Sequence, residues 1–552
     1  MKRDLSMIGK LPAHGGFMND QLLYRFSEHT FIEPLVDRWI AWPHNFSPLL
    51  YGLHLQNYQK EVLGSYLKNP AFHEKSSRNP KLLGGPFVDV PQDRVAEVKE
   101  LLAAIEHNRA DLLQMGRDLI EFQNRLAQSA QGQCVESYYA QLPDSLRGFI
   151  ELGYDYHDHA VVRCIESLFY ESRYYKKNAQ SLRISSLAHD DERPYYMSTP
   201  RLPNSNDIEW RIPFDDPKLD ELCKLDIQPQ PLETLRNLLG LSTEDEARLL
   251  PLLSSESPAH AAPWTGPGIR LRYFGHATVL LEANGLSILT DPFIAVSPLQ
   301  KGIDRLTFSD LPEKLDYVLI THGHHDHFVF ESLLRLRHRI GMLVVPRNSG
   351  IYYGDISLKQ LAFRLGFKQV HEIDALDTIP LNGGKITAIP FFGEHCDLLH
   401  AKTGYVLSFG DEQILFAADS CCLDHHMYEH VTSILGPIST VFIGMECIGA
   451  PLSWVYSPLL PVKPEHAHDQ SRRSHANDAK SALTLLKAVR AQRAYVYALG
   501  REPWLKYFMA LIPTDDDPYM QEINQLIAAA KANGLTEAQL LYGKKDLHLP
   551  ID

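Results

Sequence analysis

The sequence lacks any run of the ~18 apolar residues that a membrane-spanning helix needs. The start, Met1-Lys2-Arg3-Asp4, is basic, but no long apolar stretch follows, so a secretory leader is not expected. Cysteine is sparse: seven in 552 residues, with no Cys-x-x-Cys pair. That argues against both a disulfide framework and a zinc ribbon. Cations are the minority, 54 Lys plus Arg against 68 Asp plus Glu, for a net charge of −14. Nucleic-acid binding relies on clustered cations and is not expected. Glycine-rich phosphate loops and a dinucleotide fingerprint are also missing. These absences leave a soluble, cytoplasmic protein that binds neither membrane nor nucleic acid.

What is present is an ordinary globular balance, 44% hydrophobic and 22% charged. At ~100–200 residues per domain the length accommodates two to four domains. The conspicuous count is 26 histidines, because imidazole is the commonest metal ligand.

There is no internal repeat. Pro, Ser and Gly crowd residues 251–268, which reads as a linker near residue 265. Before it, apolar positions from Val95 to Leu126 follow a helical period that breaks near Asn108, with Asp93 as a cap candidate. A second helical pattern covers roughly 145–175, and Asp207–Pro213 alternates like a strand. After the linker, 271–274, 278–282 and 286–291 suggest an antiparallel meander. The compact apolar runs at 317–321, 342–345, 386–390, 414–418 and 441–444 suggest strands covered on both faces. Helices are expected near 330–338, 356–365 and 478–490. The reading is an α/β layered domain preceded by a mainly helical α+β domain.

The strongest chemical signal is Thr321-His322-Gly323-His324-His325-Asp326-His327, directly after an apolar strand. Strand geometry would set His322 and His324 on one side, ~7 Å apart, able to share one ion. Asp326 and His327 reach a second, and carboxylate beside imidazole suits Zn, Fe or Mn. A chance polar loop is the competing reading, and four ligand-capable residues at this spacing disfavour it. Asp419 ends the run 414–418; a metal ligand and a helix N-cap are both open for it from position alone.

The His-x-His-x-Asp-His segment resembles the metallo-β-lactamase fold superfamily, as do Gly275-His276-Ala277-Thr278, Thr290-Asp291-Pro292 and Ala417-Ala418-Asp419-Ser420. The resemblance implies an αββα sandwich with Asp419 bridging two metals. Two departures stand out. Where hydrolases of that superfamily supply a third histidine, Glu394 and His395 compete. The late strand 495–500 carries no final histidine, leaving His475, His466 or His468 to supply it, His475 first. The whole chain is more narrowly similar to the diiron β-hydroxylase of chloramphenicol biosynthesis and its relatives. Pro34–His44, Gly84–Pro91, Ile165–Tyr175 and Gly500–Trp504 carry that similarity, and Glu394 matches the family's iron-bound glutamate.

This resemblance implies a non-haem diiron monooxygenase with O2 as co-substrate. It would hydroxylate the β-carbon of an amino acid tethered as a thioester to a peptide-synthetase carrier domain, in natural-product biosynthesis. His322, His324 and Glu394 would hold one iron, Asp326, His327 and His475 the other, with Asp419 between; Glu394 is the implied catalytic carboxylate. Residues 1–265 would form a docking and dimerisation domain, and 266–552 the catalytic domain. With no nucleotide site, electrons would come from a separate reductase. A dinuclear zinc hydrolase, with His395 as ligand, is the alternative; a non-catalytic interaction protein is a third.

Other residues have plainer readings. His157 and His159 suit a surface role, and Cys421 a core role. Asp291 either orients a ligand histidine or ends a strand. His276 lies near the metals or packs in the core, and Glu446 is a weaker carboxylate candidate. Arg335–Arg339 and Arg472-Arg473 read as solvated, with docking of an acidic carrier as their functional option.

Overall fold

The computed structural model describes residues 22–257, 261–393, 399–510 and 513–551. The expected meander forms: Ile269–Gly275, Thr278–Ala283 and Leu286–Thr290 pair antiparallel in succession. Leu315–Leu319, Ile340–Pro346 and Val370–Ile373 then add in parallel, and Lys545–Leu549 closes the other edge of a seven-stranded sheet. A second seven-stranded sheet runs from Thr378–Leu381 through Gly384–Ile389, Gly404–Phe409, Glu412–Phe416, Thr440–Gly444 and Arg493–Tyr497 to Glu537–Leu540. Its first four strands are antiparallel and the rest parallel.

The sheets bury their facing sides against each other. Leu281, Ile288 and Leu319 meet Leu407, Phe416, Phe442 and Tyr495 in one dry layer. Helices His425–Leu435, Ala479–Ala488 and Pro518–Ala532 seal the outside of the second sheet. Phe330–Leu336 and Leu358–Arg364 lie outside the first. This is the αββα sandwich. Apolar strands buried on both faces need such double cover.

The amino-terminal half contributes a four-stranded sheet, Trp39–Ile40, Thr30–Val36, Gln180–Ser186 and Ile208–Trp210, with helices around it. The strand expected at 207–213 is therefore present, shortened to Ile208–Trp210. Helices Val95–Asn108 and Ala110–Ser129 break at Arg109, whose guanidinium donates to Asp37 at 2.7 and 2.9 Å. Asp93 is not the cap; it sits inside the 3-10 turn Gln92–Arg94. The helical reading of 145–175 is largely overturned. Ile150–Tyr154 and Ala160–Cys164 form a hairpin, and only Glu166–Tyr170 is helical there. Turn chemistry overrides the period: Asp155 accepts from the backbone N–H of His157 and His159, and Asp158 takes φ 61°.

The two halves share one hydrophobic core, which continues from Phe31 and Leu50 to Leu333 and Leu361. Ionic contacts reinforce it. Arg335, Arg337 and Arg339, read as solvated, are buried. Arg335 donates twice to Asp226 at 2.8 Å, and Arg337 donates to Asp220 at 2.8 Å. The charges of this helix face the first half, so the sequence run gave the wrong side. Glu33, fully buried, accepts from Arg183, Arg193 and Arg201, and Arg193 also donates to Glu331. Burial raises the Glu33 carboxyl, but the three guanidiniums outweigh it and hold the group well below the carboxylate range. Removing that charge leaves Arg201 without a carboxylate partner, while Arg183 keeps Asp207 and Arg193 keeps Glu331. Glu33→Gln is expected to cost about 3–5 kcal/mol, read as a lower denaturant midpoint in full-length protein.

Candidate metal centre

Strand Leu315–Leu319 ends two residues before the histidine motif, so His322 and His324 sit on a loop rather than on the strand itself. The loop still converges them, with ring centroids 4.7 Å apart. Asp291 ends the neighbouring strand and holds the loop. Its carboxylate accepts from the Thr321 backbone N–H at 2.7 Å, the Thr321 hydroxyl at 2.6 Å and His327 Nδ1 at 2.9 Å. Of the two readings given to Asp291, orientation of a histidine is the one observed. With Nδ1 held, His327 presents Nε2 to the centre.

His327 Nε2 lies 3.1 Å from Asp419 Oδ2, and His322 Nε2 lies 3.6 Å from the same oxygen. Asp326 approaches from the other side, its Oδ2 3.9 Å from His327 Nε2 and 3.0 Å from His276 Nε2. Ligand atoms thus converge in two overlapping groups, His322–His327–Asp419 and His276–Asp326–His327. Four non-glycine residues around this edge have positive φ: His276, Asp291, Ala418 and Ala498. Such strain persists where surrounding structure enforces it, and it clusters at functional sites. Gly444 makes room for Asp419, since a Cβ there would lie 2.5 Å from the Ala418 carbonyl oxygen.

The donor set fits metal. His327 Nε2 is buried without a hydrogen bond among the described residues. Burial lowers the His327 imidazole, but Asp419, Asp326 and Asp291 outweigh it and raise the group well above its ordinary value. Burial raises Asp326, and the histidines around it hold it well below its ordinary value. Buried imidazole nitrogens and carboxylate oxygens converging on one volume are the ligand chemistry of Fe, Zn or Mn.

The remaining expected residues are placed as follows. His324 contacts the Tyr456 hydroxyl through Nε2 at 2.8 Å. His475 is half-buried, with Nδ1 3.0 Å from the Arg473 carbonyl, and stands outside both groups. Its neighbours Ala476 and Asn477 bond to Cys421, Cys422 and Ser420, next to Asp419. His466 and His468 are exposed on the short helix His466–Ser471. Glu394, His395 and Cys396 lie outside the described residues. His159 is on the surface beside Asp155, and Cys421 is buried.

Sequence reading missed the aromatic wall. His325 is buried against Trp42, Tyr196, Trp454 and Phe508. Burial, with neighbouring histidines, pushes its imidazole down to about 4, so it stays neutral. Tyr456 was not singled out either. These residues come from segments hundreds of positions apart, and no local pattern marks them. A cavity of about 530 Å3 opens onto His324, Asp326, Asp419 and Glu446, roofed by Leu82–Gly85 of the first half. Among the described residues no helix is long and apolar enough to cross a membrane.

Residues 25–258 match a family model described as the diiron non-heme beta-hydroxylase N-terminal domain, and residues 270–433 match a beta-lactamase superfamily domain. The chain is 33% identical over 538 residues to the 4-amino-L-phenylalanyl-[CmlP-peptidyl-carrier-protein] 3-hydroxylase of Streptomyces venezuelae, spanning 95% of this chain and 100% of that relative. The crystal structure of CmlA, a diiron beta-hydroxylase from Streptomyces venezuelae, matches with a TM-score of 0.88 at 30% identity, covering 96% of this chain and 100% of that one. A shorter likeness, 29% over 152 residues, is to a UPF0173 protein of Pyrococcus abyssi, covering 28% of this chain and 60% of the relative.

Proposed function

The chain belongs to the diiron non-haem β-hydroxylase family, and from that membership we propose that its substrate is an amino acid held as a thioester on a peptidyl-carrier domain. It is a diiron monooxygenase of metallo-β-lactamase fold that uses two iron ions and O2. The observation that carries the substrate reading is the match along the whole chain, including the half that hydrolases lack. In this reading residues 1–265 form the docking and dimerisation unit and 266–552 the catalytic unit. A separate reductase supplies electrons, and the enzyme works in the cytoplasm.

Two irons bound here would supply the redox chemistry that activates O2. His322, His324 and Glu394 would hold one iron and Asp326, His327 and His475 the other, with Asp419 as a ligand common to both. The approach of Asp419 Oδ2 to both His327 and His322 supports the bridge. Asp291 keeps the proton on His327 Nδ1, so that Nε2 faces the metals. Tyr456 fixes the His324 ring through its hydroxyl. Trp42, Tyr196 and Phe508 exclude water behind the motif. The net reaction replaces a β-carbon hydrogen by hydroxyl, consuming O2, two electrons and two protons and releasing one water.

Metal analysis with 18O2 labelling tests this. The expected result is two irons per chain and one labelled oxygen at the β-carbon of a carrier-bound aminoacyl group. Full activity with stoichiometric zinc, or oxygen drawn from water, would overturn it.

A further inference from the structure

An enzyme of net charge −14 that meets a carrier domain bearing an anionic pantetheine phosphate needs a local cationic surface. The run Arg335–Arg339 is unavailable, because Arg335, Arg337 and Arg339 are buried against the first half. Arg473 is half-buried and donates to the Gly449 carbonyl at 2.7 Å. The lip of the metal-lined cavity offers another surface.

Residues 60–83 form a helical hairpin, Lys60–Lys68 and Pro70–Ser77, followed by a turn that roofs the cavity. Lys68, Lys75 and Lys81 are exposed, with no ion pair among the described residues. Between them Phe72 is 53% exposed and Leu82 38%. Phe72 and Lys75 share one helix face by their spacing. Lys81 and Leu82 line the cavity itself. Nearby acids are occupied: Glu74 and Asp89 both pair with Arg78. Glu61 is exposed on the first of the two helices, Asp517 and the half-buried Arg473 also line the cavity, and Asp515 pairs with Arg501. The lysine and apolar side chains therefore gather at the Lys81–Leu82 edge of the cavity.

The lip is also rigid. Asn69 caps the second helix by accepting from the Phe72 backbone N–H at 3.2 Å. His73 Nδ1 accepts from the Val88 N–H at 3.1 Å, and Tyr66 donates to the Val90 carbonyl at 3.1 Å.

We propose that Lys68, Phe72, Lys75, Lys81 and Leu82 form the docking platform for the carrier domain, with Lys81 meeting the anionic phosphate of its pantetheine arm at the cavity mouth. The platform rests on the carrier-bound substrate reading. Phe72 and Leu82 supply apolar contact, and the lysines supply steering and register.

The test uses full-length iron-loaded enzyme and the CmlP carrier domain, loaded in turn with a panel of amino acids. Lys75→Glu combined with Lys81→Glu is expected to raise KM for the loaded carrier about tenfold or more at low salt. Lys75→Arg combined with Lys81→Arg restores the wild-type KM. Wild-type KM climbs with ionic strength as screening shortens, and the charge-reversed variant shows a flattened dependence. Circular dichroism and iron content report folding, and a Lys68→Ala, Lys75→Ala, Lys81→Ala variant provides a milder second measurement in the same direction. Unchanged KM in both variants overturns the platform while leaving the carrier-bound reading intact. An equal rise from reversing Lys314 and Lys531, which lie elsewhere, also overturns it. A wild type that binds and oxidises none of the loaded carriers overturns the carrier-bound reading itself.

Discussion

Asp419→Asn is expected to empty the centre of metal and to lower hydroxylation by more than about 100-fold, above the range for outer partners of ligands. The argument is electrostatic as much as geometric. Asp419 Oδ2 lies within 3.1 Å of His327 and 3.6 Å of His322, so one anionic oxygen serves both sides of the cluster. An amide keeps the shape but loses the charge that offsets a cation. A site that binds metal only when folded also adds stability, about 4 kcal/mol when free metal is a thousandfold above Kd. Chelation of wild-type enzyme should therefore lower its unfolding midpoint, and the variant should show little further loss on chelation. Iron content by elemental analysis, with and without chelator, provides the check. Retention of two irons per chain in the variant would remove Asp419 from the ligand set.

Asp291→Asn is expected to weaken metal binding or activity by about 10–100-fold without emptying the site at saturating iron. The carboxylate accepts from His327 Nδ1, the Thr321 N–H and the Thr321 hydroxyl. Asparagine offers one acceptor oxygen and an NH2 donor. If that donor faces His327, the imidazole flips its proton to Nε2 and loses its lone pair toward the metal. The loop amide loses its acceptor if the group turns the other way. The affected quantity is iron affinity, read by titrating Fe(II) into chelated protein. Alanine at the same position is expected to cost more than asparagine, since all three contacts vanish.

The hydrolase alternative divides from the oxygenase at these residues only through the metal they hold. The fold is shared, and a fold does not decide chemistry. The match across the first half is what separates them here, because that half covers the sandwich and supplies Trp42, Tyr196 and the cavity roof.

Much of the centre was legible because its residues are contiguous or end strands. His322, His324, Asp326 and His327 fall within six positions after an apolar strand, and Asp419 follows another. Periodicity also located most of the sandwich, since double-covered strands are unbroken apolar runs. It failed at 145–175, where Asp155 and Asp158 stabilise a turn that the apolar spacing does not reveal. Arg335–Arg339 failed for a related reason. A charge run faces solvent by default, and only a second domain bearing Asp220 and Asp226 makes its burial tolerable.

By itself, then, the sequence determined the layered αββα fold, the histidine-aspartate cluster that the fold brings together and the family it resembles. Those features are local, written in residue type and spacing. Tertiary structure alone decided that Asp291 orients His327, that Tyr456 holds His324, and that aromatic rings from the first half enclose His325. It also buried Arg335, Arg337 and Arg339, which the sequence offered as a docking run. Each of these depends on which distant segments meet across an interface, and one-dimensional periodicity carries no record of that meeting.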